Sequence, residues 1–211
     1  DESLRREVVH HGISKDNRRS PRYFGGRYIA PYDKGGESDS EDGWMPNYWV
    51  PTDYFIDWSE WAVNRMKTLT LREKYRLQGK SGGDDRLTSR FQNDDYYFVP
   101  GLTWSDAGIY SPTIRLSGNG VFDVKGSRFI VTENFIPTAL GVVSSKLAKM
   151  WIKAVENHSI STQSENIREL VIPVTIERRV PSLTESIVSK QKADLNYDYA
   201  SNEQLEIDRL V

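Results

Sequence analysis

Four short runs between residues 96 and 131 combine aromatic and β-branched residues, and residues that favour turns separate them. The runs cover residues 96–99, 113–116, 120–124 and 127–131. Runs of this length and composition are typical of β-strands. Asn119 and Gly120 together favour a tight hairpin, because both residues tolerate positive φ angles. The segment therefore predicts a small antiparallel, twisted sheet or partial barrel.

Apolar residues recur at helical spacing both before and after these strands. The first helix is predicted from Ser59, a candidate N-cap, to Gly79, a candidate terminator. The second is predicted over residues 137–157, and we expect its apolar stripe to lie in the core: Leu140, Val143, Leu147, Met150, Trp151 and Ala154. Residues 167–174 are predicted to be extended and buried, and two further helices are predicted over residues 184–194 and 201–211. The fold class is therefore α+β (mixed), with a packed helix and a C-terminal helical section.

Charged residues are unevenly distributed along the chain, although the net charge is only −2. Residues 1–36 and 65–90 each contain eight lysines and arginines, against five and three acidic residues. Residues 37–60 contain seven acidic residues and no basic one. Local charge decides contact with phosphates, so the two basic segments are compatible with a nucleic-acid-binding surface. The alternative for residues 65–90 is an ordinary solvated helix face.

The 211 residues contain no cysteine and three histidines. Disulfides and thiolate metal sites are therefore excluded, and three histidines cannot complete a tetrahedral zinc site without carboxylates. No apolar run approaches the length that spans a membrane, and no signal peptide is visible. We therefore expect neither a metal nor a membrane among the partners.

Six sequence blocks occur in the same order as the blocks of one protein family. The central block is GLTWS at residues 101–105, followed by the basic residue Arg115 and by GVFDVKGS at residues 120–127. The others are GISKDNRRSPRYF (12–24), PYDKGG (31–36) with its following tryptophans, LGVVSSKLAKMWIK (140–153), IRELVIPV (167–174) and LEIDRLV (205–211). This pattern resembles the C-terminal target recognition domain of type IIG restriction–modification enzymes and of BREX-type adenine-specific DNA methyltransferases.

The resemblance implies a domain that recognises double-stranded DNA in a restriction–modification or phage-defence N6-adenine methyltransferase. Residues 1–135 would form the DNA-reading region. Residues 136–211 would form a helical region of the same module that braces it against the methyltransferase domain of the parent chain. A cytoplasmic location in a bacterium or archaeon is expected.

Two motifs that such methyltransferases need do not occur in the sequence. One is the Asn/Asp/Ser-Pro-Pro-Tyr/Phe motif that binds the flipped adenine, and the other is the glycine-rich loop for S-adenosylmethionine. We therefore expect no enzymatic activity and no cofactor in this chain. S-adenosylmethionine would bind to the catalytic domain elsewhere in the parent protein, which would methylate adenine with or without a fused endonuclease.

Eight residues are candidates for contact with DNA. The phosphate-binding candidates are Lys34, Arg86 and Lys125. The candidates for base contact or stacking are Arg90, Ser89, Trp104, Ser105 and Arg115. Arginine is suited to this role because one guanidinium can donate to both O6 and N7 of guanine.

Six of these candidates also have a structural alternative: Lys34, Arg86, Ser89, Arg90, Trp104 and Arg115. The loop over residues 79–90 could be a flexible connector, Lys34 a solvated turn residue, Trp104 a core residue, and Arg115 the partner of a nearby aspartate. The alternative function is a protein-interaction or docking module of a phage-defence complex, because residues 44–61 are rich in aromatic side chains. A nuclease site is disfavoured, because the acidic residues around Lys34 have the wrong spacing for a metal.

Overall fold

The computed structural model describes residues 29–33, 46–51, 55–105, 112–118, 120–122, 126–156, 162–170, 172 and 178–211. Within these ranges, helices and two small antiparallel-rich sheets form an α+β fold, which confirms the predicted class, and neither sheet is closed. The chain divides into two compact units, one of residues 1–32 and 53–97 and the other of residues 33–52 and 98–211. The functional boundary after residue 135 stays a prediction.

The first unit contains a short antiparallel strand pair and two helices. Strand β1 (Ile29–Asp33) pairs with β2 (Phe55–Asp57), so that Ala30 lies opposite Ile56. Helix α1 (Glu60–Thr68) follows directly, and α2 (Leu71–Leu77) comes after it. Ser59 caps α1 as predicted, since its hydroxyl accepts a hydrogen bond from the Ala62 N–H at 3.2 Å.

The single helix predicted up to Gly79 is wrong, because the chain breaks between α1 and α2. Leu69 is extended, and the Thr70 hydroxyl accepts a hydrogen bond from the Glu73 N–H at 3.2 Å, which starts a new helix. The Thr-x-x-Glu spacing of these residues is a known start signal that periodicity alone overlooks. Gly79, with φ +68°, ends α2 as predicted.

The second unit contains a three-stranded antiparallel sheet. Its strands are β3 (Leu102–Trp104), β4 (Ile114–Leu116) and β6 (Arg128–Phe129), with β3 in the centre; strand β5 (Val121–Phe122) is not part of this sheet. Leu102 lies opposite both Leu116 and Phe129.

The strand predicted over residues 96–99 is wrong. A 3-10 turn occupies Asp94–Tyr96, and Phe98 has φ +63°, which is incompatible with an extended strand. The strand starts instead after Pro100 and Gly101. The predicted hairpin at Asn119 lies outside the described residues.

Helices form the rest of the second unit. They are α3 (Ile136–Ser144), α4 (Lys146–Trp151) with a following π-helical turn (Ile152–Glu156), α5 (Ser164–Arg168), α6 (Arg179–Ala193) and α7 (Glu203–Leu210). The core comprises Tyr48, Leu102, Trp104, Ile114, Ile136, Ala139, Leu140, Val143, Ile152, Ile167, Val180, Ile187 and Ile207. The two predicted C-terminal helices are confirmed, and α6 begins at Arg179 rather than at residue 184.

Two of the helical-section predictions need correction. Residues 167 and 168 are helical in α5 rather than extended. The helix predicted over residues 137–157 breaks at Ser145, whose hydroxyl caps α4. The apolar stripe is buried before the break, at Leu140 and Val143. After the break, three of its large residues are exposed: Leu147 (53%), Met150 (59%) and Trp151 (43%). Ala154 is exposed as well.

Glu203 joins α7 to α6 through a partly buried hydrogen-bond network. Its carboxylate accepts hydrogen bonds from Lys190 Nζ at 2.7 Å, Tyr197 Oη at 2.8 Å and Ser186 Oγ at 3.0 Å. Burial alone would raise the pKa of Glu203, but these hydrogen bonds lower that pKa to about 2. The charged carboxylate therefore stabilises the packing of the two helices.

A depressed pKa predicts a loss of stability in acid. The contribution of Glu203 is fully present above the ordinary glutamate pKa of 4.5, and it is lost as the pH falls towards 2. Glu203→Gln should lower the free energy of unfolding at pH 7 by roughly 1–3 kcal/mol and flatten its decline between pH 4.5 and 2. Urea titrations across this range measure both effects. Glu185→Gln, at an exposed position on α6, is the control, and an equal effect of the two variants would contradict the prediction.

Candidate nucleic-acid interface

The loop between residues 84 and 88 is fixed to the start of α2 by main-chain hydrogen bonds. The N–H groups of Leu71 and Arg72 donate to the carbonyl oxygens of Arg86 and Asp84 at 2.8 and 2.9 Å. The Thr88 N–H donates to the Leu69 carbonyl at 2.9 Å. The first N–H groups of a helix have no acceptor within that helix, and here the carbonyl oxygens of the loop accept their hydrogen bonds. The predicted alternative of a flexible connector is therefore corrected for residues 84–88.

This arrangement forms one wall of an open groove of about 780 Å³ in the first unit. Three predicted DNA-contacting residues, Arg86, Ser89 and Arg90, line this groove together. Its remaining lining residues are Lys67, Leu71, Lys74, Leu87, Thr88, Phe91 and Gln92. Four cationic side chains thus line the groove, and no carboxylate is among the described residues that line it. We call this feature the basic groove.

Two carboxylates outside the lining pair with two of these cations. Asp84 accepts a hydrogen bond from Arg86 Nε at 2.8 Å, and this contact raises the pKa of Arg86. Lys67 Nζ lies 3.8 Å from Asp94 and 4.9 Å from the centre of the Phe91 ring. Both ion pairs are exposed, and exposed ion pairs contribute little. A phosphate could therefore replace either carboxylate at small cost.

Lys74 and Arg90 are the two remaining cations of the basic groove. Neither forms an ion pair with a carboxylate of the described residues. Arg90 is exposed and Lys74 is half-buried. Their positive charge is therefore available to a ligand without the loss of an existing ion pair, which favours an anionic ligand.

Gly83 allows the loop to approach α2. Its φ is +85°, and a Cβ at this position would lie 2.8 Å from the N and Cα atoms of Arg72. Gly83→Ala should therefore displace the loop and reduce the free energy of unfolding by about 1–3 kcal/mol. Chemical denaturation measures this loss, and hydrogen exchange at the Leu71 and Arg72 amides should become faster.

Gly79→Ala is the matched control for this prediction. Gly79 also has a positive φ, +68°, but a Cβ would meet no atom within 4 Å. The free energy of unfolding of this variant should fall by only about 1 kcal/mol, the cost of a positive φ at a residue with a Cβ. The amides of the loop contact should stay protected. Equal exchange rates in the two alanine variants would contradict the proposed close contact.

Trp104 lies in the second unit and is 1% exposed. Its Nε1 donates a hydrogen bond to the Thr162 carbonyl at 3.1 Å, and its ring belongs to the hydrophobic core. A base needs a free ring face for stacking, which a buried indole does not offer. The prediction that Trp104 stacks on DNA is therefore corrected, and its alternative as a core residue is the one that the structure supports.

Arg115 is also buried in the second unit, with 2% exposure. Its Nη1 lies 3.4 Å from both Ser105 Oγ and the Thr113 carbonyl oxygen. Burial lowers the pKa of Arg115 to about 10, and the charge of Asp33 acts in the opposite direction. The guanidinium is therefore enclosed by its own unit, which corrects the prediction of a base contact. Ser105 is half-buried beside it and interacts with it.

Asp33 has a structural role in the second unit. It accepts a hydrogen bond from Arg128 Nη2 at 2.5 Å and another from the Gly118 N–H at 2.8 Å.

Within the described ranges, no group of three or more His, Cys, Asp or Glu residues is placed to hold a metal ion. The candidates Lys34 and Lys125 lie outside the described residues.

The sequence singled out Arg86, Ser89 and Arg90, included Lys67 and Lys74 only as members of the basic segment 65–90, and did not point to Leu87. The two lysines are 16 or more positions from Arg90 along the chain, and the turn between α1 and α2 brings them to the same groove. The Thr-x-x-Glu signal at residue 70 could have located that turn. No local signal identifies Leu87, because its exposure depends on the hydrogen bonds that hold the loop.

The sequence matches no protein-family model, and it has no significant match among curated proteins. The resemblance to target recognition domains therefore stays a prediction, and the basic groove is the structural feature that indicates a function. Among the described residues, no helix has both the length and the apolar character needed to cross a membrane.

Proposed function

We propose that this chain is a sequence-specific recognition domain for double-stranded DNA in a restriction–modification or phage-defence N6-adenine methyltransferase. It would hold the target site so that a separate catalytic domain of the parent protein can extrude and methylate the adenine. The observation that carries this proposal is the basic groove, with Lys67, Lys74, Arg86 and Arg90 along one open channel. The six blocks that resemble the target recognition family are the second support.

The chemistry of the basic groove suits a nucleic-acid backbone better than a small metabolite. Pockets for small molecules enclose most of the ligand's surface, whereas the basic groove is open. Here Leu71, Leu87 and Phe91 are the apolar lining residues, and cations and polar side chains form the rest. A phosphodiester chain presents regularly spaced anions, which an open channel with several cations can follow.

Salt dependence tests this function. The chain should bind random-sequence DNA duplexes, and the affinity should fall as salt rises, with a log–log slope of about −3 to −4 if four cations each meet a phosphate. Arg86→Gln should reduce the magnitude of this slope by about one, because Arg86 is a phosphate-binding candidate. Fluorescence anisotropy at several salt concentrations measures both. Absence of duplex binding, or a slope near zero, would overturn the proposal.

A second candidate function is a protein-docking module of a phage-defence complex, and the exposed face of α4 favours it. Leu147, Met150 and Trp151 are about half exposed on one side of this short helix. Three lysines accompany them, namely Lys146, Lys149 and Lys153. Methionine and aromatic residues are enriched in protein interfaces, and the lysines favour an acidic partner surface.

The two candidates differ in their response to substitution. If the basic groove binds DNA, the triple variant Leu147→Gln, Met150→Gln, Trp151→Gln should keep the duplex affinity and its salt slope. If docking is the function, the unsubstituted chain should show no steep, salt-dependent affinity for duplexes. One set of anisotropy titrations with both proteins therefore decides between them.

A further inference from the structure

Leu87 is an apolar side chain that lines the basic groove together with four cations. It is 53% exposed, although the backbone on both sides of it is fixed. The Arg86 carbonyl accepts from Leu71, the Thr88 N–H donates to Leu69, and Leu87 itself forms an antiparallel bridge with Thr70. The loop therefore holds this leucine outwards at a defined position, which reduces the entropy lost when it meets a ligand.

A leucine gains nothing from contact with a phosphate, so an apolar contact of Leu87 within the basic groove requires another part of the ligand. Base edges in the major groove of DNA are polar, with one exception: the 5-methyl group of thymine, which accepts apolar contacts. We propose that Leu87 contacts a thymine methyl group in the major groove while the neighbouring Arg86 holds a phosphate. This inference depends on the proposed DNA-binding function and deepens it by assigning a specificity-determining residue.

The local architecture favours the major groove. Residues 69–71 and 86–88 run side by side, joined by the Thr70–Leu87 bridge and by the hydrogen bonds that flank it. The major groove is wide enough to admit a two-stranded ribbon, whereas the minor groove is about half as wide. Phosphate contacts position a protein without reading sequence, whereas a base contact such as that of Leu87 reads it directly.

Deoxyuridine provides a direct test, because it differs from thymidine only in the missing methyl group. The tightest-binding duplex is first selected from a random-sequence pool with the unsubstituted chain, and a second duplex then carries deoxyuridine at every thymidine. The unsubstituted chain should bind the second duplex about fourfold more weakly, the value of one buried methyl group. Leu87→Ala should lose a similar factor on the first duplex and nothing further on the second.

Leu77→Ala is the matched control. Leu77 is 57% exposed in the same unit, but it does not line the basic groove. Its substitution should leave the affinity for both duplexes unchanged. The salt slope should be the same for Leu87→Ala as for the unsubstituted chain, because no phosphate contact is lost.

The possible failures point to different conclusions. If Leu87→Ala binds the selected duplex as tightly as Leu77→Ala does, the assignment of Leu87 is wrong while the DNA-binding function stands. If Leu87→Ala and deoxyuridine weaken binding by independent factors that multiply, Leu87 does not contact the methyl group. If the unsubstituted chain binds no duplex, or if Arg86→Gln leaves the salt slope unchanged, the proposed function itself fails.

Discussion

Reversing the charge of both Arg86 and Arg90 to glutamate should weaken binding of duplex DNA by at least about 100-fold. Both side chains line the basic groove, and the double variant replaces two attractive contacts with two repulsive ones. The Asp84 carboxylate, which pairs with Arg86, would also lose its partner and add a further negative charge beside the groove. Anisotropy titrations with the selected duplex at constant salt measure the loss.

The double variant should remain folded, because the loop is held through main-chain atoms. The hydrogen bonds of Arg86 to α2 use its carbonyl oxygen, which the substitution retains. Urea unfolding and circular dichroism should therefore resemble those of the unsubstituted chain. A variant that has lost its fold would be recognised by these measurements before its affinity is interpreted.

A control with the same change in net charge separates contact from long-range repulsion. Arg76 and Lys80 are exposed in the same unit, and neither lines the basic groove. Arg76→Glu with Lys80→Glu should weaken duplex binding by less than about tenfold, since neither side chain lines the groove and salt weakens the repulsion between exposed charges that are not in contact. Equal losses in the two double variants would contradict a specific role of the groove.

The groove shows what the sequence could predict and what it could not. Composition identified Arg86 and Arg90 as candidates, because basic residues cluster between residues 65 and 90. The rigid placement of their loop was not predictable from composition, since it depends on hydrogen bonds between residues 69–72 and 84–88. These partners are distant in sequence, and only the helix break at Thr70 exposes the amides that join them.

The fold class was predictable because it depends on the alternation of strand-like and helical segments. Element ends were less predictable, since they depend on single residues such as Phe98, whose positive φ prevents a strand. Burial was the least predictable property. Leu140 and Leu147 occupy equivalent places in one periodic stripe, yet Leu140 is buried and Leu147 is 53% exposed. Periodicity identifies an apolar face but not whether a partner covers it.

The same limitation applies to the aromatic and basic residues of the three-stranded sheet in the second unit. Trp104 and Arg115 were candidates for DNA contact, and both are buried in the second unit. A side chain can leave such a site only by disrupting the core. Stability and DNA binding are therefore expected to respond differently to their substitution, and Trp104 offers the clearer case.

Trp104→Ala should reduce the free energy of unfolding by about 3–5 kcal/mol, the typical loss for a large aromatic residue in a core. The ring is 1% exposed, and the substitution also leaves the Thr162 carbonyl without its donor. Trp104→Phe should lose less, because much of the ring volume stays. Trp151→Ala is the control in the same unit: Trp151 is 43% exposed, and its loss should cost less than about 1 kcal/mol.

Urea titrations of the three variants measure these differences, and duplex binding below the unfolding transition supplies the second readout. If Trp104 acts only in the core, the folded fraction of Trp104→Phe should bind duplexes as tightly as the unsubstituted chain does. A variant Trp104→Ala that is as stable as Trp151→Ala but binds duplexes weakly would contradict the core role. That result would require the indole to leave its buried site when DNA binds, and it would restore Trp104 as a stacking residue.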